Sequence, residues 1–360
     1  MSLRDEDVTS PAWLQSQLGK DEARTVGSAA LESMAGAGGQ SGEMNRIVIA
    51  FTDGSTTTVV LKRTKPQGGP ASKSLGLYRE SHFFNKYATL GGGGGAEKLL
   101  SPILPNVMHA SSDDEQGTKT ILMDDLAAGY CQAGLFFGPG SVLNWGKDLE
   151  ALTDGFDTAG AFNVDALTRA AFTAGARLHA AYWQDGKALD PEAHPWLRAA
   201  DWQNGSGRKA WEGSQAYAAG SWAKAKANMA SGELSQFDPL VTACVDASHS
   251  QAAGEGGWGR FQAELASRPY TLVHGDFHPA NMMVKRGQPG IEMIVLDWEM
   301  VGSGSGPQDL GQFVISHVEP SVRASIERAC VESYYAELCG LNPSVAETMT
   351  LEQCVAEYIA

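Results

Sequence analysis

Hydrophobic and polar positions change period several times along the chain. Residues 47–51 form an apolar β-type run and residues 56–61 a β-branched one. Between them, Thr52-Asp53-Gly54-Ser55 carries a D-G turn signal, so the segment predicts a hairpin whose second strand closes on Lys62. The period turns helical over residues 75–90, where Phe83, Phe84 and Tyr87 share one face with Glu80. A carboxylate on an apolar face is costly unless it is paired. Residues 120–123 predict a short strand that runs into Asp124-Asp125-Leu126. Residues 127–162 read as loop-rich. Asn163 then caps a helix with Val164, Leu167, Ala171, Ala174, Leu178 and Tyr182 at helical spacing. Residues 200–267 look helical, rich in Ala and Trp and broken by glycines. Past Pro269 the pattern shifts to short strands at 270–273, 282–284 and 293–296. Pro320 opens a helix that carries Val322, Ile326, Cys330, Tyr334 and Leu338 inward and stops at Gly340. Thr350 and Gln353 fit a capping box. No internal repeat is evident. The elements predict an α+β, bilobal chain. A β-rich amino-terminal lobe spans residues 1–123, with 1–25 extended or helical. A hinge lies near Asp124, and a mainly helical carboxy-terminal lobe spans 124–360.

Composition narrows the classes of function. The 360 residues suit two lobes. There are 27 basic and 42 acidic residues, a net charge of −15. That balance argues against a nucleic-acid partner, which needs a basic footprint, and against docking on anionic lipid. No apolar run reaches the roughly 18 residues of a membrane span. The opening MSLRDEDVTS has no apolar signal core. The five cysteines are spread out, with no C-x-x-C pair, as expected of reduced thiols in a cytoplasmic protein. Glycine is in excess, 42 of 360 against a usual ~7%. Gly36, Gly38, Gly39 and Gly42 precede the hairpin, where backbone amides can cover phosphates. They do not spell the G-x-G-x-x-G register cleanly. They also lead into a hairpin and not a helix, which disfavours a dinucleotide-binding unit. The five-glycine tract 91–95 reads as a slack surface loop.

The densest chemical signal is LVHGDFHPANMMV, residues 272–284, followed by IVLDWE, residues 294–299. Two strands flank a loop holding His274, Asp276, His278 and Asn281, and a third strand delivers Asp297. Phosphoryl transfer needs a carboxylate at the acceptor hydroxyl and hard oxygen ligands for magnesium. Asp276 and Asn281 sit at two ends of one loop, and Asp297 can point at the same metal. A His/Asp metal cluster for hydrolysis, with His278, is the rival enzyme reading. It leaves Lys62 and Glu80 unexplained.

The pattern H-G-D-x-H-x-x-N followed by D-W-E resembles the aminoglycoside phosphotransferase and choline kinase-like small-molecule kinases, with their ecdysteroid kinase-like branch. The resemblance implies a protein-kinase-like fold and extends over about residues 30–340. It implies that Asp276 is the catalytic base and that Asn281 and Asp297 are magnesium ligands. VVLK ends on Lys62 like the family's strand lysine, which contacts the α- and β-phosphates; Arg63 and Lys65 are nearby cations. Glu80 stands where the pairing helix glutamate belongs. ILMDDL resembles the hinge, with Met123, Asp124, Asp125 and Leu126 flanking adenine, and Gly38 and Gly39 would cover the phosphates. His274 would hold the loop, Asp309 would support it through backbone hydrogen bonds, and His179 would be a core histidine. Gly275 replaces the arginine of the protein-kinase H-R-D, and no A-P-E follows, so a protein substrate is disfavoured. The implied activity is ATP- and Mg2+-dependent phosphorylation of a hydroxyl on a small molecule. Choline, ethanolamine, aminoglycosides, amino sugars, steroid alcohols and hydroxy acids all remain open, as does the oligomeric state. The alternative from another class is a nucleotide-binding pseudokinase without transfer activity.

Overall fold

The computed structural model describes residues 4–18, 22–34, 42–88, 95–139, 141, 144–158, 160–253, 256–286 and 290–360. Gly36, Gly38, Gly39 and Gly91 to Gly94 lie outside them, and with them most of the predicted phosphate-covering loop.

The chain forms two compact units, one of Met1–Asp185 with Tyr270–Ala360 and one of Gly186–Pro269. The first begins with two short helices, α1 (Asp5–Val8) and α2 (Pro11–Gln17). An antiparallel sheet follows: β1 (Val26–Ser33), β2 (Gly42–Phe51), β3 (Thr56–Thr64), β4 (Val107–Asp113) and β5 (Thr118–Asp124), in the order β1-β2-β3-β5-β4. The predicted turn joins β2 to β3, with Gly54 at φ 86°, a backbone conformation that glycine adopts without strain. Alternation along β2 and β3 turns Ile47, Ile49, Phe51, Val59 and Leu61 to one face. There they meet Val8, Leu14, Val26 and Leu122 in a closed core. The opposite face is left for the site.

Between β3 and β4 lie α3 (Gly69–Leu75), α4 (Arg79–Lys86) and α5 (Gly95–Leu100). The helix predicted over 75–90 is shorter than expected: α3 has already ended at Leu75, and α4 spans only Arg79–Lys86. Gly76 ends α3 in the left-handed conformation at φ 69°, and the chain restarts as α4. The predicted apolar face survives the break: Glu80, Phe83, Phe84 and Tyr87 are all buried.

After β5 come β6 (Tyr130–Gln132), α6 (Leu149–Leu152) and α7 (Val164–Ala181). Asn163 caps α7, its Oδ1 accepting from the Ala166 amide at 2.9 Å. The second unit holds α8 (Ala200–Gln203), α9 (Arg208–Ser231), α10 (Pro239–Ala253) and α11 (Gly257–Ser267). Trp211, Trp258 and Phe261 pack against one another there. This unit was not separable from its neighbours in the sequence, which showed only one helical stretch.

The first unit resumes with β7 (Thr271–Val273), β8 (Met282–Lys285), β9 (Met293–Val295) and β10 (Gly302–Gly304). These make two small antiparallel sheets, β10-β7 and β6-β8-β9. The helices α12 (Gly306–His317), α13 (Pro320–Leu341), α14 (Val345–Thr348) and α15 (Leu351–Ile359) complete it. Gly340 does not stop α13, which runs one residue further and is capped at Asn342. Cys330, Tyr334 and Leu338 are buried as expected. The Thr350–Gln353 capping box forms, with hydrogen bonds of 2.8 and 3.2 Å. Among the described residues no helix is long and apolar enough to cross a membrane.

One aromatic contact ties α4 to the turn after β9. Phe83 and Trp298, both fully buried, stack with centroids 3.9 Å apart and planes 6° from parallel. Phe83→Ala should therefore lower the unfolding free energy by about 3–5 kcal/mol, measured by urea denaturation. At the end of α12, His317 stacks on His278 with its Nε2 buried and unpartnered. Burial, aided by His278, pushes its pKa down to about 4. The unfolded chain then binds the extra proton between about pH 6.5 and pH 4, so stability falls as pH drops through that window. Between pH 7 and pH 5 the wild type should lose roughly 1–2 kcal/mol more than His317→Gln, with screening at this half-buried site included.

Candidate functional site

The open face of the sheet supplies the upper wall. Met44 lies opposite Lys62 and Arg46 opposite Val60 on β2 and β3, while Ile121 and Met123 of β5 face Lys62 and Val60 from the other side. Lys119 precedes Ile121 by two residues, so it stands on the same face as a diagonal neighbour of Lys62. The strand pattern thus puts two lysines side by side on a surface whose other members, Arg46 apart, are apolar.

Three carboxylates meet them. Lys62 Nζ lies 2.8 Å from Glu80 Oε2, 2.7 Å from Asp297 Oδ1 and 3.2 Å from Glu299 Oε1. Lys119 Nζ donates to the same Glu80 oxygen and lies 2.5 Å from Glu299 Oε1. Lys62, Lys119 and Glu80 are buried, Glu80 to 1% exposure. Burial by itself disfavours the charged forms of Lys62 and Glu80. It lowers the Lys62 pKa, but the charges of Glu80, Asp297 and Glu299 outweigh it and hold the ammonium well above its ordinary value. Glu80 is likewise pushed up by burial and pulled lower overall by Lys119 and Lys62. Asp297 also stays low, the two lysines prevailing over burial. Lys62, Glu80 and Asp297 are therefore charged at neutral pH, and with Lys119 and Glu299 they make a cluster of two amino and three carboxyl groups, formally one unit negative.

Asp297 reaches it through a bent backbone. It sits at φ 67°, ψ 62°, the left-handed region that side-chain-bearing residues rarely enter. The bend sends its carboxylate, 39% exposed, toward Lys62, while Trp298 turns under α4. The Trp298 amide donates to Glu80 Oε1 at 3.4 Å.

The loop between β7 and β8 forms the lower wall. Asp309, buried on α12, accepts from the His274 amide at 2.7 Å and the Gly275 amide at 3.0 Å. His179 lies between Asp309 and the Tyr334 hydroxyl, at 3.4 and 2.8 Å. The His274 ring is neutral. Its Nδ1 accepts from the Asp276 amide at 3.2 Å, its Nε2 donates to the Leu296 carbonyl at 2.9 Å, and burial lowers its pKa. Gly275 takes φ 76°, which accounts for the glycine in the motif. Asp276 is then held from two sides: Gln312 Nε2 donates to Oδ1 at 3.0 Å and Asn281 Nδ2 to Oδ2 at 3.1 Å. Burial would raise its pKa, but His278 and Asn281 keep it below the ordinary carboxylate value, so it is ionised at neutral pH.

Between the walls lies a cleft of about 480 Å3. Lys62, Glu80, Met123, Asp124, Asp125, Leu126, Asn281 and Asp297 all line it, together with Met44, Val60, Met283 and Leu296. Asp276 is not among the lining residues; Asn281, which is, donates to its carboxylate. Asp125 is bound to Arg46 at 2.6 Å, which with the Ala127 amide keeps its carboxyl low against burial. Asp124 is pushed upward by burial. Gly42 borders the cleft, but Gly38 and Gly39 lie outside the described residues. Arg63 turns away from the cluster to Glu43 and Asp5. Two members of the site escaped the sequence reading. A lysine among the β-branched and apolar residues of TKTILM was the available signal for Lys119. Gln312, three residues after Asp309 on one helix face, gave none by itself.

The sequence profile of the phosphotransferase enzyme family (APH) matches residues 121–338, more than half of the chain. No curated protein matches it in sequence. Among solved structures it is similar to the macrolide 2'-phosphotransferase MphH from Brachybacterium faecium, at 16% identity over 95% of this chain and 91% of that one, TM-score 0.39. It is also similar to a microcompartment-associated aminopropanol kinase, at 14% identity over 92% and 81%, TM-score 0.36. A choline/ethanolamine kinase family protein from Mesorhizobium loti shares 13% identity over 92% and 86%, TM-score 0.35. With the profile covering the loop, the Asp297 turn and the helices that hold them, the chain belongs to the phosphotransferase enzyme family.

Proposed function

We propose that the chain is an ATP- and magnesium-dependent kinase that phosphorylates a hydroxyl of a small molecule. The observation that carries this reading is the convergence of Lys62, Asn281 and Asp297 on one cleft, with the ionised Asp276 bonded to Asn281 at its edge. The volume, about 480 Å3, suits a nucleotide-sized ligand. Val60, Met123, Met283 and Leu296 offer an apolar lining for adenine beside the segment Met123 to Leu126. On this reading residues 1–123 bind the nucleotide and 124–360 carry catalysis and the acceptor. The spread of the cysteines supports a reducing compartment such as the cytoplasm.

Lys62 would position the α- and β-phosphates, with Glu80 fixing its side chain. The hard oxygens of Asp297 and Asn281 fit magnesium, and Asp297 presents a partly exposed carboxylate to the cleft. Magnesium, when bound, would neutralise charge on the phosphates. Asp276 would accept the hydrogen bond of the acceptor hydroxyl and align it for in-line attack. A carboxylate of lowered pKa orients well and takes the proton late, as a loose phosphoryl-transfer transition state requires. Gln312 and Asn281 hold that carboxylate still, so little reorganisation is needed.

The test is ADP release in a coupled assay over a panel of alcohols, preceded by thermal shift with Mg-ATP. Asp276→Asn should cut turnover by about a hundredfold or more while Mg-ATP still raises the melting temperature. Turnover within a few-fold of wild type would remove Asp276 from the role. Asp297→Ala should weaken Mg-ATP itself, and an undiminished thermal shift would count against it. Stabilisation by Mg-ATP without turnover on any alcohol would leave a nucleotide-binding pseudokinase.

A further inference from the structure

We propose that Lys119 is a positioning residue, the standing counter-ion of Glu80 and Glu299 that leaves Lys62 able to turn to the nucleotide. The inference rests on the nucleotide-binding reading above. Both lysines contact Glu80 and Glu299, but they differ in two respects. Lys62 also pairs with Asp297 and lines the cleft. Lys119 sits deeper, its side chain 2% exposed, and is not part of the cleft lining.

The two positions imply different duties. An ammonium that turns toward a phosphate oxygen must loosen its grip on the carboxylates that hold it. Glu80 is 1% exposed, so losing its only cation would leave a buried, unpaired charge. Lys119 prevents this, because it keeps Glu80 and Glu299 paired while Lys62 is engaged elsewhere. The electrostatics point the same way: among the charges that hold the Glu80 carboxyl down, Lys119 contributes more than Lys62. Without Lys119 the cluster would carry one positive and three negative charges. Lys62 would then be the sole cation for the three carboxylates it already touches, and a polyanion would meet a site of charge −2.

The experiment compares Mg-ATP affinity, from titration calorimetry and from the KM for ATP, across charge-changing variants of the full chain. Binding of Mg-ATP to wild type is measured first, and its absence would overturn the nucleotide reading before any variant is made. Given that binding, Lys119→Met should weaken Mg-ATP by more than about fivefold with a smaller change in kcat, and Lys119→Arg should stay within about fivefold. Adding Glu299→Gln to Lys119→Met returns the cluster to one positive and two negative charges, and affinity should recover. A purely structural lysine gives the opposite pattern, since the double variant would be no better than the single one. Glu299→Gln alone removes one negative charge from the cleft wall and should bind Mg-ATP more tightly than wild type, which keeps the proposal open to test if Lys119→Met fails to fold. Lys119→Met within about fivefold of wild type, no recovery in the double variant, or no tightening in Glu299→Gln would each overturn it.

Discussion

Two ammonium groups and three carboxylates packed into one buried cluster set the terms for the rest of the molecule. No member can be left alone at that depth, because an isolated buried charge costs far more than a fold of this size can absorb. The register of β3 against β5 must place Lys62 and Lys119 on one face. Helix α4 must present Glu80 inward among aromatic side chains, and the turn after β9 must deliver both Asp297 and Glu299. A slip of one residue in either strand would turn a lysine to the apolar core on the other side. The Phe83–Trp298 stack is the apolar counterpart of this constraint. It joins the same helix to the same turn, so packing and charge pairing demand a single arrangement.

Strain and support are matched around the lower wall. Asp297 and Gly275 both occupy the left-handed region; on the proposed reading the first is itself a chemical group and the second stands next to one, Asp276. For Asp297 the cost is about 1–3 kcal/mol. It is offset locally by full burial of Trp298 and by the Trp298 amide bond to Glu80. The bend at Gly275 is offset by the Asp309 carboxylate, which takes two consecutive backbone amides. Asp309 in turn meets His179 of α7, which meets the Tyr334 hydroxyl of α13. The long helices therefore act on the loop through one buried carboxylate, and the tip of the loop has little freedom.

Much of this was legible because motif spacing and strand alternation are local. The hairpin, the capped helix after Asn163, the short strands around the loop and the inward Glu80 all follow from patterns within about 20 residues. The pairing of Lys62 with Glu80 and the grip of Asp309 on the loop are present at hydrogen-bonding distance. Other features depend on contacts between distant segments. Lys119 reads as a surface residue until β5 is known to be an inner strand of its sheet. Gln312 matters only because α12 runs beneath Asp276. The turn at Gly76 to Tyr78 keeps helical spacing with the residues that follow, so periodicity ran the predicted helix back to Leu75, four residues before α4 begins. Gly340 failed as a stop because a glycine in a long, packed helix costs only about 1 kcal/mol, and α13 is anchored on α7 by Cys330, Tyr334 and Leu338.

The sign of the cluster bears on what the cleft can accept. Two positive and three negative charges leave it one unit negative, within a chain that is itself at −15. A bare polyphosphate would meet net repulsion there, whatever Lys62 offers. On the proposed reading a divalent cation arriving with the phosphate would reverse the balance, since it would answer the Asp297 carboxylate and free Lys62 from it. The ionised cluster thus does more than hold the two walls together. It ties the availability of Lys62 to the arrival of a positive charge at Asp297, so that on the proposed reading the metal and the nucleotide enter as one ligand and neither is well received alone.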